Sequence, residues 1–107
     1  RDLTHVSDAV EATVRAAGAE RPAPIYNVAG GEPATVAAMI AALERLAGRP
    51  MPLVRLPAAA GDVSATAAAL ALARRDLGYA PRTALADGLR GQLASRGRAA
   101  APPLAVG

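Results

Sequence analysis

The sequence predicts a helix-rich α/β fold, and three observations lead to this prediction. Apolar residues recur at helical spacing in four stretches, short β-prone runs lie between them, and glycine or proline ends most of these segments. We expect about four helices and a few short strands, in the order strand, helix, strand, helix, strand, helix, helix. A length of 107 residues is sufficient for one small domain.

The first helix is predicted to follow a short strand at residues 1–6. Ser7 can act as its N-cap, and Gly18 stands where a glycine commonly ends a helix. One side of this helix carries apolar residues at helical spacing, namely Val6, Val10, Val14 and Ala17.

The middle of the chain predicts a strand, a helix and a second strand. Residues 25–28 are β-prone, and the helix after them begins near Thr35 and ends at Gly48. Residues 50–56 predict a further strand, which Pro52 restricts to the edge of a sheet.

Two more helices are predicted in the last part of the chain. The third helix ends at Leu77 and Gly78, and Thr83 can cap the fourth. We therefore divide the chain into an ordered segment, residues 1–95, and a tail, residues 96–107, whose Ala, Pro and Gly content predicts disorder. The core must be built largely from alanine, because the chain has no Phe and no Trp, so we expect little hydrophobic stabilisation.

The residue types that are absent exclude several classes of function. Without cysteine there is no thiolate nucleophile or cysteine-ligated metal, and without lysine there is no Schiff base or Tyr-Lys catalytic pair. His5 is the single histidine, and we expect it to pack rather than to act, so we predict no metal site and no catalytic residue. The net charge is only +3 and no aromatics interleave the arginines, which argues against nucleic-acid binding. No apolar run is long enough to cross a membrane, and we expect a cytoplasmic protein.

Four short motifs follow one another along the chain: residues 1–8 (RDLTHVSD), 26–33 (YNVAGGEP), 61–66 (GDVSAT) and 77–89 (LGYAPRTALADGL). In this order and with these gaps they resemble the extended short-chain dehydrogenases/reductases, specifically the NAD-dependent nucleotide-sugar epimerase/dehydratase family, with the UDP-glucuronate 4-epimerases as the nearest type. The resemblance covers about residues 1–95 and implies the C-terminal, substrate-side part of a Rossmann-type enzyme. The chain begins at Arg1 without an initiating methionine, so we expect it to be a piece of a larger protein.

The resemblance also implies which residues contact the substrate. In the family, the arginine of the first motif contacts the diphosphate of the nucleotide sugar, which implies that role for Arg1. A guanidinium suits the role because it binds phosphate oxygens through planar, bidentate hydrogen bonds. The aspartate after the loop glycine binds ribose hydroxyls in the family, which implies that Asp62 does so here. The expected partners are thus a nucleotide-sugar substrate and an upstream Rossmann half.

The resemblance places the cofactor and the chemistry outside these residues. The glycine-rich NAD loop and the Ser, Tyr and Lys catalytic residues of the family would lie upstream. We therefore expect NAD in the parent enzyme, which could form a homodimer, and neither a cofactor nor catalytic competence in this chain alone. The alternative interpretation is a non-catalytic protein-interaction module derived from such an enzyme.

Some positions depart from the family pattern. Many relatives carry an arginine shortly before the Gly61-Asp62 pair as a second phosphate contact, whereas this chain has alanine at residues 58–60, and Arg55 is out of register with it. Ala69 stands where relatives commonly carry an aspartate that caps the next helix. We therefore expect weaker phosphate binding and a weaker start to the third helix.

Overall fold

The computed structural model of the chain describes residues 1–98, which contain four helices. These are α1 (Val6–Ala17), α2 (Val36–Ala47), α3 (Ala71–Leu77) and α4 (Leu85–Arg98). α1 packs against α3 and α2 packs against α4. The predicted number of helices is confirmed. α4 continues to Arg98, three residues into the predicted tail, and residues 99–107 of that tail lie outside the described residues.

The predicted helix ends agree with the structure in most places. Thr35 caps α2, because its hydroxyl oxygen accepts the backbone N–H of Ala38 at 3.0 Å. Gly48 and Gly78 follow α2 and α3 with φ of 67° and 59°, a left-handed conformation that glycine adopts without a steric penalty. α3 begins at Ala71, and its N-cap residue Leu70 gives no side-chain cap hydrogen bond, in line with the weaker start predicted for this helix.

Two predicted N-caps are wrong. α1 begins one residue before Ser7, and its cap is the imidazole of His5, whose Nδ1 accepts the Ser7 N–H at 3.2 Å. The hydroxyl of Thr83 lies 3.3 Å from Oδ1 of Asp8 and so serves a contact between segments instead of capping α4. The first-turn N–H groups of α4 bond to the carbonyl of Ala84. The Ser7 hydroxyl lies 2.7 Å from the ring of His5 and 3.1 Å from the hydroxyl of Thr83, so both hydroxyls have other partners than a helix end.

The three predicted strands do not form within residues 1–98, so the described fold is helical with irregular connections rather than α/β. Arg1 and Ala34 do exchange two backbone hydrogen bonds, of 2.6 and 2.8 Å, as a residue pair in an antiparallel ladder would. The pattern stops after this one pair. A β-prone run becomes a strand only when a second run pairs with its backbone, and no such ladder forms within residues 1–98.

The core lies between α1, α3 and the loop before α2. Its buried residues are Ala12, Ala29, Leu70, Ala73, Leu77 and Tyr79. Tyr79 is the largest fully buried side chain, and its hydroxyl donates to the carbonyl of Ala29 at 2.8 Å. Burial raises the pKa of Tyr79 above its ordinary value, and the negative charges of Asp8, Asp2 and Glu11 raise it further. Half of this core is alanine, as the composition predicts.

A buried carboxylate joins α1 to the segment that leads into α4. Asp8 is only 2% exposed, and it accepts the backbone N–H groups of Arg82 at 3.1 Å and Thr83 at 3.2 Å. Two turns further along α1, Arg15 donates to two carbonyls at the end of α3, at 2.9 and 3.0 Å. These bonds satisfy backbone groups that would otherwise be unpaired, and they hold residues 77–83 against α1.

The buried side of α1 is not its valine side. Asp8 and Ala12 are buried against the rest of the fold, whereas Val6, Val10 and Val14 are exposed. α3, in contrast, buries its apolar face, which consists of Leu70, Ala73 and Leu77.

Candidate functional site

The two residues that the sequence singles out for substrate contact lie together in the structure. Arg1 forms an ion pair with Asp62, although the two residues are 61 positions apart in the sequence. The guanidinium of Arg1 also donates to the carbonyl of Val63. The motif at the start of the chain and the motif at Gly61–Asp62 therefore form one cluster.

Backbone bonds hold Arg1 in place. Its backbone nitrogen donates to the carbonyl of Ala34 at 2.6 Å, and its carbonyl accepts the N–H of the same residue at 2.8 Å. Asp2 also bonds to the neighbouring loops. Its Oδ1 accepts the N–H of Gly31 at 3.0 Å, and its backbone N–H donates to Thr66 Oγ1 at 3.1 Å. The first two residues thus connect the loop before α2 with the loop after Asp62.

The ion pair lies at the edge of an open cleft of about 420 Å³. The cleft is lined by Arg1, the residues that lead into α2 (33–36) and the loop of residues 62–65. The backbone N–H groups of a helix's first turn favour negative charge, and Thr35 and Val36 place the beginning of α2 at this cleft. The lining carries hydroxyl and backbone groups beside the charged pair, which suits a polar, negatively charged ligand.

The ion pair is accessible to solvent and can exchange partners. The side chains of Arg1 and Asp62 are 31% and 56% exposed, so their mutual attraction is screened and contributes at most about 1 kcal/mol. A guanidinium has five N–H donors, and a phosphate oxygen is a strong acceptor for them. An anionic ligand can therefore bind Arg1 without a large cost from the loss of Asp62 as its partner.

The glycine pair before α2 packs against backbone. A Cβ at Gly30 would overlap the carbonyl oxygen of Leu3, and the N–H of Gly31 already donates to Asp2. The absence of a side chain at Gly30 is thus used for the close crossing of two chain segments. The N–H of Gly31 is likewise used within the fold, because Asp2 accepts it.

The remaining residues singled out from the sequence take no part in the ion pair of Arg1 and Asp62. His5 caps α1, and a Cβ at Gly88 would lie 3.0 Å from its ring, so the imidazole packs closely on α4. Arg55 and alanines 58–60 are exposed, and none of them lines the cleft of Arg1 and Asp62.

Sequence reasoning missed the importance of two carboxylates, Asp2 and Asp8. Asp2 positions Arg1 by bonding the loops on both sides of the cleft, and Asp8 anchors the segment before α4. Both belong to the first motif, so membership in that motif was the available signal. Spacing alone could not reveal it, because the partners of these two residues are backbone N–H groups 29 to 75 positions away.

Two classes of site are missing from the part of the chain that the structure covers. No cluster of three or more His, Cys, Asp or Glu residues could hold a metal ion there. None of the helices among residues 1–98 is both long and apolar enough to span a membrane.

Comparison with known proteins gives sequence relatives and one similar solved structure. A UDP-glucose epimerase of Bacillus subtilis, described as uncharacterized, is 34% identical over 97 residues, which are 88% of this chain and 30% of the relative. An uncharacterized protein of Methanocaldococcus jannaschii is 30% identical over 90 residues, 84% of this chain and 28% of that protein. No family model matches. The chain therefore spans less than one third of the length of the curated relatives it matches.

The structural comparison agrees with the sequence relatives. The fold matches a UDP-glucuronic acid 4-epimerase mutant from Bacillus cereus, solved in complex with UDP-4-deoxy-4-fluoro-glucuronic acid and NAD. The match has a TM-score of 0.85 and 27% identity, and it covers 92% of this chain and 32% of that chain. In sequence and in fold, the chain is similar to the C-terminal part of UDP-sugar epimerases, which supports its interpretation as a fragment of the epimerase family.

Proposed function

We propose that this chain is the nucleotide-contacting part of an NAD-dependent UDP-sugar epimerase. In this proposal Arg1 binds the diphosphate of the nucleotide sugar, and Asp62 accepts hydrogen bonds from the ribose hydroxyls. The observation that carries the proposal is the meeting of Arg1 and Asp62 at one cleft across 61 positions of sequence.

The chemistry of the two side chains supports a nucleotide diphosphate as the ligand. A guanidinium binds phosphate oxygens through charge-assisted bonds, and a carboxylate accepts bonds from neighbouring hydroxyls. The neighbour from Bacillus cereus is in complex with a UDP-sugar analogue and NAD, which supports the same ligand class for this chain. The cleft lacks a second arginine in its lining, so we expect weaker binding than two phosphate contacts would give.

We assign the cofactor and the hydride transfer to the part of an epimerase that these residues do not include. The described residues hold no second histidine, no lysine and no cysteine, and Gly30 and Gly31 serve a backbone crossing. The chain alone should therefore bind a UDP-sugar weakly, bind NAD no better than background, and catalyse no epimerisation. A cytoplasmic location and a homodimeric parent enzyme stay predictions.

A second candidate function, a non-catalytic interaction module, is favoured by the exposed valines of α1. The two candidate functions predict different nucleotide binding at the cleft. An interaction module that has lost its enzyme role has no need of Arg1, so the nucleotide should bind equally poorly to the wild type and to an Arg1 variant.

Calorimetric titration of UDP-glucuronic acid into the 107-residue chain tests the proposal. We expect weak binding, with a Kd of about 1 mM, that falls by about tenfold or more in Arg1→Ala, because a hydrogen bond to a charged group contributes about 1.5–3 kcal/mol. Arg45→Ala is the matched control, since Arg45 is an exposed arginine in the last turn of α2 and does not line the cleft. Equal affinity of the wild type and Arg1→Ala would contradict the proposal.

A further inference from the structure

One wall of the Arg1 cleft is a loop that the guanidinium of Arg1 holds. Residues 59–65 are exposed throughout, and the N–H of Asp62 donates to the carbonyl of Ala59 at 3.1 Å in a turn within the loop. Among the described residues, the hydrogen bonds from this loop to distant parts of the chain both come from Arg1, one to the carboxylate of Asp62 and one to the carbonyl of Val63. We call residues 59–65 the strap.

The two contacts occupy the part of Arg1 that a phosphate group would use. Asp62 accepts a hydrogen bond from Nη2 of the guanidinium, and the carbonyl of Val63 accepts one from Nη1. A phosphate binds a guanidinium in a similar forked manner, with two of its oxygens on two N–H groups. In the free chain, the strap therefore takes the place of two phosphate oxygens.

Arg1 keeps its position without the strap. Its backbone is bonded to Ala34 in both directions, at 2.6 and 2.8 Å, so its anchorage does not depend on Asp62. On the side of the strap, Gly61 has open space around it, because a Cβ at this glycine would meet no atom within 4 Å. The strap can thus move away from Arg1 without breaking a packed contact at this turn.

The charge of Asp62 gives the strap an effect on which ligands bind. We propose that Asp62 is a specificity-determining residue, which competes for Arg1 against anions that carry no hydroxyl groups. This proposal rests on the proposed function and adds to it a selection among anions. An inorganic anion that binds the guanidinium leaves the carboxylate of Asp62 unpaired beside a second negative charge. A nucleoside diphosphate also brings a ribose diol, whose hydroxyls donate to the released carboxylate.

The exposure of the ion pair limits the size of this selection. The side chains of Arg1 and Asp62 are both accessible to solvent, and such a pair changes an equilibrium constant by at most about fivefold. Removal of the competing carboxylate should therefore tighten the binding of a simple anion by about two- to fivefold. The same change weakens the hydrogen bonds from the ribose, which offsets the gain for a nucleotide. The ratio of the two affinities is the quantity that depends on Asp62.

Titrations of inorganic pyrophosphate and of UDP-glucuronic acid into the 107-residue chain, followed by amide NMR, test the proposal. Pyrophosphate carries a diphosphate without hydroxyl groups, so it reports on Arg1 alone. We expect pyrophosphate to bind about two- to fivefold tighter to Asp62→Asn than to the wild type, and UDP-glucuronic acid to bind no tighter.

Asp87→Asn is the matched control for the loss of one negative charge. Asp87 also pairs with an arginine, is 63% exposed and does not line the cleft. It should change both affinities by one common factor. Asp62→Ala is the second variant, because alanine has no amide that could itself donate to a phosphate, and it should also bind pyrophosphate tighter than the wild type does.

Two results would overturn the proposal. Pyrophosphate that binds no tighter to Asp62→Asn and Asp62→Ala than to the wild type would show that the strap does not compete for Arg1. Affinities for the two ligands that change by the same factor in Asp62→Asn, as they should in Asp87→Asn, would reduce the role of Asp62 to net charge. If Arg1→Ala weakens UDP-glucuronic acid while either result is found, only this proposal fails. Equal affinity of the wild type and Arg1→Ala for UDP-glucuronic acid refutes the proposed function and this proposal together.

Discussion

Removal of the Asp8 carboxylate should destabilise the fold more than any change at a surface acid. In Asp8→Ala, the backbone N–H groups of Arg82 and Thr83 lose their acceptor in a site where the carboxylate is 2% exposed. Each unpaired buried donor costs about 1–3 kcal/mol, and partial relaxation of the turn lets water reach some of them, so we expect a loss of about 3 kcal/mol. A small domain has a free energy of unfolding of about 5 kcal/mol at the low end of the usual range, so the variant should be close to unfolding.

Urea unfolding followed by far-ultraviolet circular dichroism measures this loss. Asp87→Ala is the matched control: Asp87 also lies in the first turn of a helix, but its side chain is 63% exposed and pairs with Arg90 at 2.5 Å. We expect that control to lose less than about 0.5 kcal/mol. Asp8→Asn keeps one acceptor oxygen and should fall between the two. If Asp8→Ala lost no more stability than Asp87→Ala, the anchoring role derived for Asp8 would be refuted.

Three further predictions concern the core and the backbone crossing. Tyr79→Phe should cost about 1–2 kcal/mol, because the buried carbonyl of Ala29 loses its donor, and a urea midpoint equal to that of the wild type would contradict this. The fold raises the pKa of Tyr79, so the contribution of Tyr79 to stability should be constant below about pH 10. Above that pH stability should fall, because the unfolded chain loses its phenol proton first; a urea series at increasing alkaline pH checks this, and the fall should shrink in Tyr79→Phe. Gly30→Ala should lose at least about 1–3 kcal/mol, because the new methyl group meets the carbonyl of Leu3, whereas Gly91→Ala, with open space around it in α4, should gain up to about 1 kcal/mol in thermal unfolding.

Helices were predictable from the sequence where local signals decide them. Thr35 and Gly48 act within one turn of α2, so pattern alone identifies both ends of that helix. Ser7 and Thr83 have the same local chemistry as Thr35, but in the fold their hydroxyls lie 3.1 Å from each other, across 76 positions. A one-dimensional pattern has no information on such a contact, and the two predicted caps failed for that reason.

The absence of strands within residues 1–98 and the buried face of α1 also depend on contacts between distant parts of the chain, so the sequence pattern could not predict them. A β-prone run such as residues 25–28 needs a neighbouring strand, and the described residues supply none. The spacing of the valines correctly predicted that α1 is a helix. Spacing alone does not say which side of that helix is buried. The candidate site was predictable only through family resemblance, which selected Arg1 and Asp62; no spacing rule connects two residues 61 positions apart.

Mapping of a UDP-sugar onto the chain by amide NMR tests the central claim most directly. We predict that UDP-glucuronic acid shifts the amide signals of residues 34–36 and 62–65, which line the cleft with Arg1. Arg1→Ala should remove these shifts, and Arg45→Ala should keep them. Shifts that centre on another surface, or that persist unchanged in Arg1→Ala, would contradict it.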